Sequence, residues 1–351
     1  MPEDPRLRHD FTVFAPGRVN LIGDHTDYTG GFAMPMAIDL GTTITGGWIL
    51  AHVWLDSVGF EGGLSFTLDP KDPAMVDPGS VEPPWGRYVA AVASVLRRTD
   101  APLPGFKGRV TTTIPVGTGL SSSAALEVAT AIVLGATGRP VEIAMACQEA
   151  EQLASGVPCG VMDQLTSLAG VAGHALLIDF RTLDVEPVPL PAEVSVVVVH
   201  SGQERELATS AYAARRTQLE VAQRIIGPLR DATLDDLAAI DDEVVRARAR
   251  HVVTENARVL RFADALRSGD LHAAGALMVD AHASFRDDFG ASTPVVDALV
   301  DRLVATPGVL GARLTGGGFG GCVVALVEPG TSTDGWGRHW WVQASGGARM
   351  L

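Results

Sequence analysis

The stretch PVGTGLSSSAALE, residues 115–127, constrains this chain more than any other. Two glycines clear side chains from a turn, and three serines follow. The run after them is almost wholly apolar and breaks only at Gly135 and Gly138. This pattern predicts a loop feeding a buried helix. The N-terminus of such a helix carries free N–H groups and a partial positive charge, which suit a phosphate. Serine hydroxyls there either ligate Mg²⁺ or bond phosphate oxygens. The bland alternative is a glycine turn with serine N-caps. A Walker loop is ruled out because no GK[ST] ending follows. A GxSxG elbow is ruled out because Ser121 is followed by Ser122 and Ser123 and no second glycine.

Size and charge narrow the class. A chain of 351 residues, 46% hydrophobic and 19% charged, is globular and long enough for two domains. A net charge of −14 argues against binding a nucleic-acid backbone or an anionic membrane, but not against a small anionic ligand held by local N–H groups. Cys147, Cys159 and Cys322 are far apart with no CxxC pair. They form neither a disulfide framework nor a zinc site, and they favour a reducing compartment. The opening MPEDPRLRHD has no apolar core, so no secretory signal is expected. The uncharged run 40–55 is short of the roughly 20 apolar residues of a membrane span and reads as buried strands. A soluble, cytoplasmic protein is expected.

Along the chain, FTVFAPGRV (11–19) reads as a strand entering a turn at Pro16–Gly17, and WGRYVAAVASVLRR (85–98) as a helix. RVTTTIPV (109–116) and VSVVVV (194–199) read as strands, 141–155 as a helix and GVPCG (156–160) as a loop. Residues 208–305 are largely helical by amphipathic spacing, and 311–330 is strand, glycine turn, strand. PVPLP marks a boundary near 180–192.

GGGFGG (316–321) satisfies GxGxxG, but the strand CVVALVEPG follows it where a dinucleotide fold needs a helix. It reads as a hairpin, either bare or closing over a ligand. In EQLASGVPCGVMDQLTS (151–167), Asp163 is either an N-cap or a carboxylate facing a substrate hydroxyl. Glu151 is either a surface acid or part of a Mg²⁺ site with a serine oxygen. In GRVNLIGDHTDYTGG (17–31), Arg18, Asp24, His25 and Asp27 offer donors and acceptors for several hydroxyls at once, as a sugar needs; a structural ion-pair network is the alternative. A lone HTD is a poor metal-ligand set.

Together these segments resemble the GHMP small-molecule kinases and, within them, the galactokinase family. GRVNLIGDHTDY is similar to that family's sugar signature, VGTGLSSSAALEVAT to its phosphate loop and LTGGGFGGCVVAL to its third glycine motif. Further matching blocks include WGRYVAAV, AEQLASGVPCGVMDQ, SAYAARR, RARHVVTENARV, HASFRDDFGAS and WVQASGGARML. The resemblance implies the α+β GHMP kinase fold. A ribosomal protein S5 domain 2-like N-terminal domain (1–185) would precede a ferredoxin-like C-terminal domain (186–351), with the final segment packing back on the first. It implies transfer of the ATP γ-phosphoryl to the anomeric hydroxyl of galactose.

By the same resemblance, Asp163 is the catalytic aspartate and Arg18 the arginine beside it and the transferring phosphoryl group. Asp24, His25, Asp27, Gly160 and Tyr212 fall on sugar ligands. Gly117, Gly119, Leu120, Ser121, Ser122 and Ser123 fall on the phosphate loop, and Trp85 and Tyr88 beside the adenine pocket. Glu151 with Ser123 or Ser122 falls on Mg²⁺ ligands. ATP and Mg²⁺ are the implied cofactors and a sugar the partner, with no nucleic acid or membrane, and a monomer is expected. The family signature has glutamate where this chain has Asp24, which retracts the carboxylate by about 1.5 Å and bears on selectivity at C6. Thr26 keeps the galactokinase form. HSGQERELA (200–208) and Gln218 also depart from the pattern, and 46–79 matches little of it. Two rival readings are a kinase for a galactose-like sugar altered at C6 and a sugar/ATP sensor without turnover. The intact serine run speaks against the sensor.

Overall fold

A computed structural model describes residues 10–98, 102–115, 117–203 and 208–351, without the side chains of 208–210. Most of the charged opening, and residues 204–207 of HSGQERELA, lie outside the described residues. The chain begins with β1 (Phe11–Asn20), β2 (Phe32–Ala33), β3 (Pro35–Ile49), β4 (His52–Ser57) and β5 (Gly63–Thr67). There follow α1 (Pro73–Val76), α2 (Gly86–Leu96), β6 (Gly105–Thr112), α3 (Ser122–Val133), α4 (Pro140–Ser155) and α5 (Met162–Ala169). Next come β7 (His174–Asp179), β8 (Asp184–Pro189) and β9 (Ser195–His200). The helices α6 (Ala208–Ile226), α7 (Glu243–Ser268), α8 (Leu271–Asp287) and α9 (Pro294–Val304) come after these. The last elements are β10 (Val309–Leu314), β11 (Cys322–Val327), β12 (His339–Val342) and β13 (Arg349–Met350).

A six-stranded sheet runs in the order β13-β1-β3-β6-β4-β5, with β4 and β6 parallel and the other pairs antiparallel. The buried helix expected after the serines is α3. It packs on β1 and β3 and is flanked by α2, α4 and α5, with nearly every side chain from Ala124 to Val133 buried. A four-stranded antiparallel sheet, β10-β11-β9-β12, forms a second layer, and a core from this sheet and α6 to α9 fills it. The glycine hairpin of 311–330 is the β10–β11 pair.

Three local expectations change. The run 40–55 is strand as read, but it is not buried throughout: Trp48, Ile49 and Leu50 at the turn from β3 to β4, and Trp54 on β4, are exposed. Pro16–Gly17 is not a turn: β1 runs on to Asn20, and the register against β3 shifts between Pro16 and Arg18. This bulge re-aims the following side chain. A Cβ on Gly17 would lie 2.5 Å from the Leu120 carbonyl oxygen, so only glycine lets β1 press against the loop before α3. PVPLP, read as a break, lies partly in β8, the edge of the three-stranded sheet β2-β7-β8. An edge strand tolerates prolines that cannot donate. Residue 185 therefore falls inside a strand, and the chain changes sheet only between Pro189 and Ser195.

After β12 the chain crosses back to the first sheet. Ser345 N–H donates to Ala37 O at 2.9 Å, Gly347 N–H to Gly170 O at 2.7 Å and Ala348 N–H to Ser167 O at 2.8 Å. β13 then pairs with β1, Met350 opposite Val13. The crossing is tight, since a Cβ on Gly347 would stand 2.2 Å from the Leu168 carbonyl oxygen. Gly347→Ala is expected to destabilise the protein by about 1–3 kcal/mol, read as a lower urea midpoint at unchanged slope. An unmoved midpoint would refute this account of the crossing.

Candidate active site

The β1 bulge aims Arg18 at α5. Its Nε donates to Asp163 Oδ1 at 2.7 Å and its Nη2 to Oδ2 at 2.6 Å, while Nη1 donates to the Gly119 carbonyl at 2.8 Å. Asp163 is not an N-cap: it sits in the first turn of α5, whose cap position is Val161. The Ser121 hydroxyl also donates to Asp163 Oδ2, so that serine does not cap α3. Ser121 holds a left-handed conformation (φ 62°), between Gly119 (φ 72°) and the helix. Such strain in a non-glycine residue persists only where its surroundings hold it. Here Arg18 and Asp163 do so.

Asp163 and Arg18 line a cavity of about 230 Å³ together with Asp24, His25, Asp27, Gly160 and Tyr212, all named from the sequence, and Glu151. Asp24 is 2% exposed. Its Oδ1 accepts from Asn20 Nδ2 at 2.8 Å and from Gly316 N–H at 3.1 Å, and its Oδ2 pairs with Arg313 Nη2 at 2.7 Å. Arg313, wholly buried, also reaches Glu255, which Arg258 pairs in turn. Burial raises the pKa of Asp24, with Arg313 opposing. For Glu255 the cations win and the pKa is lowered despite burial.

His25 is another left-handed residue (φ 62°). Its Nε2 lies 3.3 Å from the Gly317 carbonyl, which can only accept, so Nε2 carries the proton and Nδ1 accepts from Tyr28 OH at 2.8 Å. The ring stacks on Phe285 and tilts against Phe289 and Tyr212. Gly160 is required by Asp27, because a Cβ there would sit 1.6 Å from Asp27 Oδ2. Burial, then the nearby Asp163 charge, pushes the Asp27 pKa up to about 6.

A second, more apolar cavity of about 300 Å³ is lined by Trp85, Tyr88, Ser122, Ser123, Leu126, Val110 and Ile114, with Ser57 and Phe60. The Trp85 indole N–H is buried there and has no hydrogen-bond partner among the described residues. Ser123 joins the two cavities: its hydroxyl donates to Glu151 Oε1 at 2.8 Å. Leu120 is core, Gly119 presents its carbonyl to Arg18, and Gly117 (φ 75°) has open space around it. Among the described residues no three histidine, cysteine or acid side chains gather as a metal cage. The Ser123 and Glu151 oxygens are nonetheless hard donors of the kind Mg²⁺ takes alongside phosphates.

Sequence reasoning missed Arg313 and Glu255 behind Asp24, the buried pair Glu127 and Gln164 behind Glu151, and Ser57 and Phe60. Glu127 had a signal, as the one acid in an apolar helix. Ser57 and Phe60 had none, coming from the stretch 46–79 that matched little of the family pattern.

Residues 6–47 match the galactokinase galactose-binding signature, 87–171 the GHMP kinases N terminal domain and 262–334 the GHMP kinases C terminal domain. The chain is 44% identical to the galactokinase of Homo sapiens over 334 residues, 91% of this chain and 84% of the relative. The chain belongs to the galactokinase family. A galactokinase of Chloroflexus aurantiacus is 43% identical over 327 residues, 89% of this chain and 83% of the relative. The structure of Lactococcus lactis galactokinase complexed with galactose superposes with a TM-score of 0.90 at 30% identity, covering 97% of this chain and 95% of that one. Mevalonate kinase of Methanococcus jannaschii shares the fold at a TM-score of 0.67 and 20% identity, covering 97% and 100% of the two chains. The GHMP architecture expected from the motifs is the one found.

The high Asp27 pKa has a consequence for stability in this galactokinase-family chain. Folding favours the protonated acid, so the Asp27 contribution is fully present below the ordinary aspartate pKa and is lost as pH rises through about 6. Asp27→Asn is therefore expected to unfold at higher urea than wild type at about pH 8, with the gap closing towards about pH 4. A pH-independent gap would sink the assignment.

Proposed function

We infer that this chain catalyses ATP-dependent phosphorylation of galactose at its anomeric hydroxyl, giving galactose 1-phosphate and ADP. The observation that carries the reading is Asp163, clamped by Arg18 where the polar cavity meets the loop before α3. Phosphoryl transfer asks a protein mainly for positioning and charge neutralisation. The polar cavity positions the sugar: Asp27 and Tyr212 address its hydroxyls, His25 forms part of the wall with both ring nitrogens bonded within the protein, Gly160 sets the place of Asp27, and Asp24 closes one end. Trp85 and Tyr88 take the adenine, with the Trp85 N–H as a buried donor. The Gly117–Leu120 backbone and the N-terminus of α3 receive the phosphates, with Ser122 and Ser123 at its first positions.

A carboxylate has about four acceptor sites. Arg18 and Ser121 fill one on Oδ1 and two on Oδ2 of Asp163, which leaves Oδ1 with a site for the substrate hydroxyl. That bond fixes the direction of attack, and the Arg18 charge lies beside the group in transfer. Mg²⁺, which Ser123 or Ser122 and Glu151 would hold, neutralises phosphate charge when bound. No observation favours a C6-altered sugar or a silent sensor. Cys147 and Cys322 are buried and Cys159 is half-buried, and their wide spacing in the sequence keeps with a reducing, cytoplasmic setting. No helix among the described residues is long and apolar enough to cross a membrane.

The test is ADP release with Mg-ATP across galactose, N-acetylgalactosamine, fucose, arabinose, galacturonate and glucose. Galactose is expected to lead in kcat/KM, and a lead by another sugar would overturn the substrate assignment. Asp163→Ala is expected to cut kcat by about a hundredfold or more while leaving ATP binding intact. Near-normal turnover would remove Asp163 from its assigned role.

A further inference from the structure

Behind the Ser123–Glu151 pair lies a carboxylate that the reaction above does not use. Glu127 on α3 and Gln164 on α5 are both 0% exposed. Gln164 Nε2 lies 2.9 Å from Glu127 Oε2 and 2.5 Å from Glu151 Oε2. A primary amide nitrogen carries two protons, so it donates one to each carboxylate. The flipped amide would set its oxygen against both carboxylates, so the bonding pattern fixes the orientation. The other oxygens, Glu127 Oε1 and Gln164 Oε1, are buried without a hydrogen-bond partner among the described residues. Every side-chain hydrogen bond described for these two residues therefore runs through the one amide nitrogen.

Glu151 is held at both ends as a result. Its Oε1 receives the Ser123 hydroxyl from α3 at 2.8 Å, and its Oε2 receives the amide from α5. Gln164 directly follows Asp163, so the helical turn that presents the catalytic carboxylate also supplies the group that steers Glu151. An apolar side chain in place of Gln164 would leave the Glu151 Oε2 bond unmade and Glu127 buried without a donor.

We propose that Gln164, anchored by Glu127, is a positioning residue that holds the Glu151 carboxylate for the divalent cation accompanying the nucleotide phosphates. The proposal rests on the reading of Glu151 as a ligand of that cation. A group that orients a metal-binding carboxylate from behind typically changes metal affinity about 10–100-fold when removed.

The experiment measures Mn²⁺ affinity by electron paramagnetic resonance, in the full chain with a non-hydrolysable ATP analogue, for wild type, Gln164→Met and Glu151→Gln. Gln164→Met is expected to weaken Mn²⁺ binding about tenfold or more and to raise the Mg²⁺ needed for half-maximal activity in parallel. Its galactose KM should stay within about twofold of wild type, since Gln164 does not line the sugar cavity. Glu127→Leu should weaken Mn²⁺ binding, and Glu127→Gln, whose amide oxygen still accepts from Gln164, should restore most of it. A folded Gln164→Met protein with wild-type Mn²⁺ affinity overturns the proposal if Glu151→Gln is weakened. If Glu151→Gln also binds Mn²⁺ normally, the ligand reading falls and the proposal with it. Should Gln164→Met fail to fold, Gln164→Asn, which withdraws the amide by one methylene, carries the same expectation and the same refutation.

Discussion

The ion pair between Arg18 and Asp163 is the interaction around which the rest is arranged. Two charge-assisted bonds in parallel fix direction as well as distance, which a single contact does not. Three otherwise unrelated pieces of chain have to meet for it to form. β1 must bulge, the loop before α3 must bend back through a left-handed serine, and α5 must start late enough to leave Asp163 in its first turn. The third guanidinium nitrogen takes the Gly119 carbonyl, so one side chain ties the sugar side of the site to the phosphate side.

A second buried set of charges binds the halves of the molecule. Asp24 and Gly23 lie near the start of the chain, Glu255 and Arg258 on α7, and Arg313 on β10. Two acids and two arginines nearly cancel, which is the condition under which such groups tolerate removal from water. The same balance fixes Asp24. Its retracted carboxylate is held at Oδ1 by the Asn20 amide and the Gly316 N–H and at Oδ2 by the Arg313 charge, so it serves the sugar cavity as a rigid wall. Asp27 differs. No cation among the described residues forms an ion pair with it, and its pKa rises under burial and the neighbouring Asp163 charge.

Much of this was legible in the sequence where one residue type had one physical meaning. The apolar run after the serines had to be a buried helix, VSVVVV had to be a core strand, and glycines between two apolar runs had to be a hairpin. The polar cluster at 17–31 carried too many donors and acceptors for a core and too many apolar residues for a free loop. What stayed hidden depends on contacts distant in sequence. Pro16–Gly17 has the chemistry of a turn and becomes a bulge only because Leu120 approaches it. PVPLP resembles a break and becomes partly an edge strand because β7 is there to accept it. Arg313, Glu255 and Gln164 are ordinary letters in ordinary helices and strands, and their meaning appears only once they share a buried site. Phe60 and Ser57 reach the apolar cavity on a hairpin whose sequence has no distinctive pattern.

The return of the chain to its first sheet also shapes how that sheet comes into being. β1 begins at Phe11 and β13 lies at 349–350, and among the described residues β13 alone neighbours β1 on that side. During synthesis Val13 and Phe14 of β1 therefore stay unpaired on that side until residues 349–350 have been made. Open edges of this kind are templates for pairing with other chains, and contacts this distant form slowly. The strand that carries Arg18 thus has one flank, at Val13 and Phe14, that closes only when a segment far downstream arrives.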